Sequence, residues 1–96
     1  MTQIRFEWDA RKAKSNEKKH GVSFEEAQAV FFDEQALLLE DPQPLHEEER
    51  FILLGLSSSL RLLVVIHALR AGDVIRIISA RKATRLESRE YEIRLR

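Results

Sequence analysis

Residues 9–26 read DARKAKSNEKKHGVSFEE and contain one predicted helix and the start of another. Asp9 is among the residue types favoured at a helix N-cap, and Gly21 stands where a helix C-cap needs a residue that tolerates a positive φ angle. The residues between them have high helix propensity. Basic side chains occupy the last turn, where their positive charge interacts favourably with the negative end of the helix dipole. The stretch therefore predicts a helix over Asp9–His20.

The second helix is predicted to begin at Ser23. Ser23 and Glu26 have the spacing of a capping box, in which each side chain accepts a hydrogen bond from the other residue's free backbone amide. Apolar residues then recur at helical spacing as far as Asp33, and they predict a buried stripe of Phe24, Ala27, Val30 and Phe31. We assign these aromatic rings to the core and not to a ligand site.

Strand patterns account for most of the remaining chain. Apolar and charged residues alternate over 4–8, which predicts a half-buried strand ahead of the first helix. Further predicted elements are a short strand at 37–39, a proline-bearing loop at 41–49, an antiparallel meander of strands at 50–56, 61–69 and 74–80, and a helix at 81–93. The order βααββββα predicts one two-layer α+β domain over residues 1–96.

Composition limits the kinds of site that the chain can build. Its 96 residues are 44% hydrophobic and 33% charged, which suits one globular domain with a modest core. It has no cysteine, which excludes disulfides, thiolate metal sites and a cysteine nucleophile. The histidines His20, His46 and His67 lack carboxylates at ligand spacing, so we expect neither a metal site nor a cofactor.

Hydropathy indicates a soluble protein. The first residues lack the apolar run of a signal peptide. The most apolar stretch, Leu60 to Leu69, is interrupted by Arg61 and His67 and is too short to span a bilayer. We therefore expect a cytoplasmic protein with no membrane contact.

The charges are segregated along the chain although the net charge is zero. Residues 1–20 carry six basic and three acidic side chains, whereas 21–60 carry one basic and nine acidic. Residues 61–80 and 81–96 again have an excess of basic side chains, by two and by three. If the fold brings the two ends of the chain together, they form a basic patch beside an acidic flank; the alternative is an ordinary solvated surface.

Three stretches together resemble the BrnT family of toxins and cover nearly the whole chain. The first comprises Phe6-Glu7-Trp8-Asp9, Lys12, Asn16, Lys19-His20-Gly21-Val22-Ser23-Phe24-Glu25-Glu26-Ala27, Val30-Phe31 and Asp33. The second is Glu48-Glu49-Arg50 ahead of a strand with Gly55, and the third is Ile75-Arg76-Ile77-Ile78-Ser79-Ala80-Arg81-Lys82-Ala83-Thr84 with Glu87 and Tyr91. The chain departs from the family pattern at Leu60, where a glycine is expected, and at His67, where relatives often have a hydroxyl or aromatic residue.

The resemblance implies a RelE-like fold, with two N-terminal helices packed on an antiparallel sheet and a short C-terminal helix. It also implies a ribonuclease toxin, a hydrolase that binds and cleaves RNA independently of the ribosome, blocks translation and belongs to a type II toxin–antitoxin system. The implied partner is a BrnA-type antitoxin with a ribbon-helix-helix DNA-binding region. DNA is then contacted only indirectly, through the antitoxin.

Cleavage of RNA without a metal ion needs a base for the 2′-hydroxyl proton, cations for the charge on phosphorus, and an acid for the leaving oxygen. His20 is the catalytic candidate for proton transfer, because histidine exchanges protons near neutral pH, and Lys19 lies beside it. The alternative is that His20 only caps the last turn of its helix. Asn16 stands one turn earlier, where it either orients His20 or caps a nearby group.

Cationic and aromatic residues near the end of the chain complete the predicted site. Arg76 and Arg81 stand in or just after an apolar run that gives no packing reason for a guanidinium, so each is a candidate phosphate clamp. A regular strand through Arg81 would turn them to opposite faces, because their numbers differ by an odd number, whereas a strand that ends at Ala80 leaves the direction of Arg81 open. We expect one of the two to be structural, with Glu87 as a candidate partner. Tyr91 is a candidate to supply a phenol or stack on a base, with packing of the last helix as the alternative. The RNA-binding candidates are Lys12, Lys82, and Arg61 and His67 on one face of the middle strand.

A non-catalytic module that only binds an antitoxin or DNA is the rival interpretation, because charge complementarity serves either function. Direct DNA binding by this chain has less support, since no helix-turn-helix or ribbon pattern is recognisable. Cleavage of RNA in the absence of divalent metal separates the enzyme from the binding module.

Overall fold

The computed structural model describes residues 4–39 and 49–95; most of the predicted loop at 41–49, with His46, lies outside them. The elements in chain order are β1 (Arg5–Glu7), α1 (Ala10–His20), α2 (Phe24–Gln28) continued by a 3₁₀ turn (Ala29–Phe32), β2 (Leu37–Leu39), β3 (Phe51–Leu56), β4 (Leu62–Arg70), β5 (Val74–Lys82) and α3 (Arg85–Arg94). The described part of the chain is therefore an α+β fold with five strands and three α-helices.

The five described strands form one mixed sheet in the order β1-β5-β4-β3-β2. Strands β2 to β5 are antiparallel neighbours, and β3 to β5 form the predicted meander. Strand β1 instead pairs parallel with β5, which corrects the expectation of a purely antiparallel sheet. Because this pairing covers only Arg5–Glu7 against Val74–Arg76, the outer edge of β5 beyond Arg76 has no strand partner among the described residues.

The ends of α1 follow from its sequence. The Asp9 carboxylate accepts hydrogen bonds from the backbone amides of Arg11 at 2.8 Å and Lys12 at 3.1 Å. At the other end Gly21 has a φ of 69°, and its amide donates to the carbonyl of Glu17 at 2.8 Å. Both predicted caps are present, and the helix differs from the prediction only in that Asp9 precedes its first residue.

The start of α2 contains half of the predicted capping box. The Ser23 hydroxyl accepts from the Glu26 amide at 3.0 Å. The Glu26 carboxylate, however, bonds to Arg61 and Ser57, because a guanidinium is a stronger partner for a carboxylate than a backbone amide. The second half of the prediction is therefore wrong.

A complete capping box begins α3. The Thr84 hydroxyl accepts from the Glu87 amide, and the Glu87 carboxylate accepts from the Thr84 amide. This cap places the start of the helix at Arg85, so β5 extends through Arg81 and Lys82, which the sequence pattern had assigned to the helix.

The sheet separates two apolar clusters. The face covered by α1 and α2 buries Val22, Phe24, Ala27, Val30, Leu63, Val65, Ile75, Ile77 and Ala80. The opposite face packs Ile52, Leu54 and Val64 against Tyr91 of α3. Burial of a large apolar side chain stabilises a fold by roughly 1.5–3 kcal/mol. The apolar residues of α1 are only Ala10 and Ala13, so polar contacts must hold this helix in place.

A β-bulge interrupts the pairing of β4 with β5. Ser79 pairs with Ile66 and Ile77 pairs with His67, which leaves Ile78 as the extra residue. Arg76 then lies opposite Ala68, and Arg81 lies opposite Val64, two positions on the same face of β4. The opposite faces expected for a regular strand therefore do not apply, because the bulge adds one residue to the count and turns both arginines to the same face.

Leu60 lies in the turn before β4 and adopts a left-handed backbone conformation with a φ of 61°. The Cβ atom of an L-residue is strained in this region, which is a physical reason to expect glycine at this position. The Leu60 side chain is 79% exposed, so it gains little burial in return.

Leu60→Gly is expected to stabilise the protein by roughly 1 kcal/mol, because relief of the strain exceeds the entropy that glycine adds to the unfolded chain. Leu86→Gly is the matched control: Leu86 is also an exposed leucine, but it lies inside α3, where glycine costs about 1 kcal/mol. Urea unfolding at pH 7 measures both variants. A Leu60→Gly protein no more stable than the parent would contradict strain at this turn.

Candidate functional site

A basic groove lies between α1 and the outer edge of β5. Its volume is about 330 Å³, and it is lined by Arg11, Lys12, Ser15, Asn16, Lys19 and His20 of the helix and by Ile78 and Ser79 of the strand. Three of these side chains are cationic, and no acidic side chain of the described residues lines the groove. Such a surface suits a polyanion.

Asn16 holds α1 against the strand. Its side-chain oxygen accepts from the Ala80 amide at 3.1 Å, and its nitrogen donates to the carbonyls of Ala80 at 2.8 Å and Val22 at 3.0 Å. The side chain thus continues the hydrogen bonding of β5 where β1 has ended. Asn16 is buried, and leaving such backbone groups without partners costs about 1–3 kcal/mol each. Its bonds therefore place the helix on the strand and do not run to His20.

Arg61 holds the turn that follows His20. Its guanidinium donates to the Gly21 carbonyl at 3.0 Å and, through Nε, to the Glu26 carboxylate at 2.9 Å. Ser57 Oγ donates to the same carboxylate at 2.6 Å. Arg61, a predicted RNA-binding residue, is thus bonded to the end of α1 and to α2, and we leave it out of the proposed RNA contacts.

Arg76 and Arg81 are each paired with an acidic side chain on the face of the sheet that α3 covers in part. Arg76 makes one bond to Glu7, at 3.0 Å, and the two side chains are 30% and 45% exposed. Arg81 makes two bonds to Glu87, at 2.8 and 2.9 Å, and the guanidinium holds the pKa of that carboxyl at about 2. Because the capping box also holds Glu87, Arg81 is the more firmly fixed of the two arginines.

Tyr91 is buried and donates its hydroxyl to Asp33 at 2.7 Å. Asp33 also accepts from the Leu56 amide at 2.8 Å. The close approach requires Gly55, because a Cβ atom there would lie 3.1 Å from the Asp33 carboxylate. Burial, with the bond to Asp33, raises the pKa of Tyr91 to about 12. These contacts favour the alternative in which Tyr91 packs the last helix, so we leave it out of the proposed site.

His67 belongs to the core. Its ring lies between those of Phe31 and Phe51, at centroid distances of 4.7 and 5.8 Å. The side chain is 5% exposed, and burial lowers its pKa. His67 lies on the face of β4 that the helices cover, with Leu63 and Val65. The interpretation of His67 as an RNA-binding residue is corrected for this reason.

Three of the nine predicted site residues meet in the groove, namely Lys12, Lys19 and His20. Lys82, at the end of β5, is exposed and does not line it. Sequence reasoning missed Arg11, Ser15 and Ser79 as groove residues. Arg11, Ser15 and Lys19 recur every four residues along α1, and this spacing was a usable signal. No signal in the sequence identified Ser79, because its position at the groove depends on the bulge in β5.

Two further properties concern residues 4–39 and 49–95. Nowhere in these ranges do three or more His, Cys, Asp or Glu side chains form a group that could hold a metal ion. The helices in the same ranges are too short or too polar to cross a membrane.

Together, the fold and the groove define a small α+β domain with a cationic surface beside one sheet edge. The fold is similar to that of the crystal structure of the Brucella abortus ribonuclease toxin, BrnT. The TM-score is 0.66, the sequence identity is 21%, and the match covers 86% of this chain and 100% of that chain. At this identity the likeness shows the fold alone.

Sequence comparison shows the family. The model of the family described as the ribonuclease toxin, BrnT, of type II toxin–antitoxin system matches residues 8–87. The chain therefore belongs to the BrnT family, and membership of a type II system implies an antitoxin partner. A comparison with curated protein sequences gives no significant match.

The Glu26 cluster predicts a pH dependence of stability. The bonds from Arg61, followed by the Ser57 hydroxyl, lower the pKa of Glu26 to about 2, against an ordinary value of 4.5. A carboxylate with a depressed folded-state pKa stabilises the fold fully above its unfolded value, and this contribution is lost as pH falls towards 2. We therefore expect Glu26→Gln to lower the free energy of unfolding at pH 7 by about 1–2 kcal/mol, with a smaller difference at pH 3.

Urea unfolding of parent and variant at both pH values measures this difference. Glu25→Gln is the matched control, since Glu25 is the exposed neighbour on α2 and its loss should change stability by less than about 0.5 kcal/mol at either pH. A Glu26→Gln difference of equal size at pH 7 and pH 3 would show that the carboxylate charge does not contribute.

Proposed function

We propose that this protein is a metal-independent endoribonuclease toxin that binds single-stranded or looped RNA in the basic groove. The observation that carries the proposal is that His20 and Lys19 line one groove with Lys12 and Arg11, with no acidic side chain of the described residues among them. Family membership supports ribonuclease activity, and the proposal adds the location and the chemistry.

The proposed chemistry uses groups on α1. The 2′-hydroxyl of a ribose gives up its proton as its oxygen bonds to the adjacent phosphorus. The bond from phosphorus to the 5′-oxygen of the next nucleotide breaks, and that oxygen takes up a proton, which leaves a 2′,3′-cyclic phosphate and a 5′-hydroxyl. His20 is the proposed proton carrier, because an imidazole transfers protons near neutral pH and this one lies at the groove. Lys19 and Lys12 are the proposed cations that stabilise charge on the phosphate oxygens. Metal ions are not required for any of these steps.

The two arginines of β5 have different proposed roles. Arg76 would bind RNA phosphate as it leaves the groove, since its single bond to Glu7 is exposed. Arg81 would act indirectly, by holding α3 on the sheet through Glu87, and Lys82 would add to the attraction of RNA from its exposed position. We also propose that the fold is RelE-like, as the family resemblance implies.

The proposed partner is a BrnA-type antitoxin with a ribbon-helix-helix region, through which the complex reaches DNA. We propose that it covers the basic groove, because occlusion of His20 and neutralisation of the nearby lysines are sufficient to block RNA. The family supports an antitoxin partner, and the charge of the groove supports the surface.

His20→Ala is expected to reduce RNA cleavage by about 10²-fold or more, because loss of a general acid or base has this effect. Lys19→Ala is expected to reduce it by about tenfold or more, by loss of charge stabilisation. The assay is gel analysis of a mixed RNA substrate cut by purified protein in EDTA. Lys18→Ala is the matched control, because Lys18 is the neighbouring exposed lysine and does not line the groove.

Each outcome of this assay decides between two explanations. Cleavage by the parent and the control, with loss in folded His20→Ala, supports the proposed enzyme and site. Undiminished cleavage by folded His20→Ala removes His20 from the mechanism. A well-folded parent that cleaves no RNA in EDTA or with added divalent metal supports the non-catalytic binding module instead.

Binding of the antitoxin is expected to protect the groove. Hydrogen exchange of α1 backbone amides, measured with and without antitoxin, should slow most in the second half of the helix near Lys19 and His20. Protection confined to residues 41–49 would contradict this location.

A further inference from the structure

Arg76 and Arg81 of β5 each form an ion pair, and the pair of Arg76 with Glu7 is the less firmly held of the two. It consists of one hydrogen bond, at 3.0 Å, and nearly half of the Glu7 side chain is exposed. The bidentate pair of Arg81 with Glu87 is anchored by the capping box of α3. Exposed single ion pairs are weak and easily exchanged for other partners.

Arg76 lies where the chain passes from β1 into α1, because it pairs with Glu7, two residues before the Asp9 cap of the helix. The Asp9 carboxylate caps the backbone amides of Arg11 and Lys12, both of which line the groove. The pKa of Asp9 lies below its ordinary value, through these amides first and, to a smaller extent, through the charges of Lys12 and Arg76. RNA that follows α1 from His20 to Lys12 is therefore directed towards the start of the helix, the end at which Arg76 pairs with Glu7.

We propose that Glu7 is a built-in competitor for RNA phosphate at Arg76. In the free protein the Arg76 guanidinium donates a hydrogen bond to the Glu7 carboxylate, and the phosphate of RNA that enters the groove displaces this carboxylate. The exchange is chemically matched, because carboxylate and phosphate oxygens accept the same guanidinium hydrogen bonds. The inference rests on the proposed RNA-binding function of the groove, and it makes Glu7 a positioning residue that limits affinity.

The test measures binding of a fluorescent single-stranded RNA with 2′-O-methyl groups, which lacks the attacking hydroxyl and stays intact. At low ionic strength Glu7→Gln should lower the Kd about two- to fivefold, the range in which a lost exposed ion pair falls. Glu90→Gln is the matched control, since it removes one acidic charge from an exposed position on α3. It should change the Kd by less than about 1.5-fold, because solvent screens distant charges.

The same binding measurements in an Arg76→Ala protein separate the release of Arg76 from a general effect of charge on RNA binding. In Arg76→Ala protein, Glu7→Gln should tighten binding no more than Glu90→Gln does. Equal effects of Glu7→Gln and Glu90→Gln in the parent background, or tightening by Glu7→Gln that persists without Arg76, overturns the competitor role.

If the proposed RNA-binding function is wrong, the binding and cleavage measurements give a different set of results. A parent that neither binds the modified RNA nor cleaves ordinary RNA in EDTA refutes the RNA site and the competitor role together. A parent that binds and cleaves while Glu7→Gln has no added effect refutes only the competitor role. Unfolding midpoints of all variants identify any that are not folded.

Discussion

The arrangement of helix, strand and groove depends on the side-chain amide of Asn16. Helix α1 has no large apolar residue, so the hydrophobic effect does little to attach it to the sheet. Asn16 instead bonds both backbone groups of Ala80 on a strand edge and the Val22 carbonyl in the chain that leaves the helix. This attachment leaves the rest of α1 free to carry charge, and a cationic helix can therefore stand against a sheet edge.

Acidic partners decide which cations are available to a ligand. Arg61 and Arg81 are held by the carboxylates of Glu26 and Glu87, and both carboxyl groups have a pKa of about 2 because of those pairs. No acidic side chain of the described residues lines the groove together with its cations. The groove is thus basic in a protein with no net charge, while Glu26 and Glu87 neutralise two arginines that stabilise the fold.

Local signals in the sequence predicted local structure. Asp9 and Gly21 marked the ends of α1, and the strand patterns located the meander to within two residues at each end. Contacts between distant parts of the chain were not predictable in this way: the partner of Glu26 is 35 residues away, and the parallel pairing of β1 depends on how the chain returns. The site was predicted in part, since Lys12, Lys19 and His20 share one helix. Residues on β4 and α3 were assigned to the site on residue type alone, and their burial or ion pairs appear only in three dimensions.

The bulge at Ile78 has a consequence for comparing BrnT sequences. Along β5, residue number and sheet face are not related by simple alternation, because one residue is inserted between Arg76 and Arg81. A relative that lacks the bulge presents basic residues at these two positions to opposite faces, even when the flanking sequence is the same. A single insertion or deletion in this strand therefore moves a basic side chain from one face of the sheet to the other without any substitution.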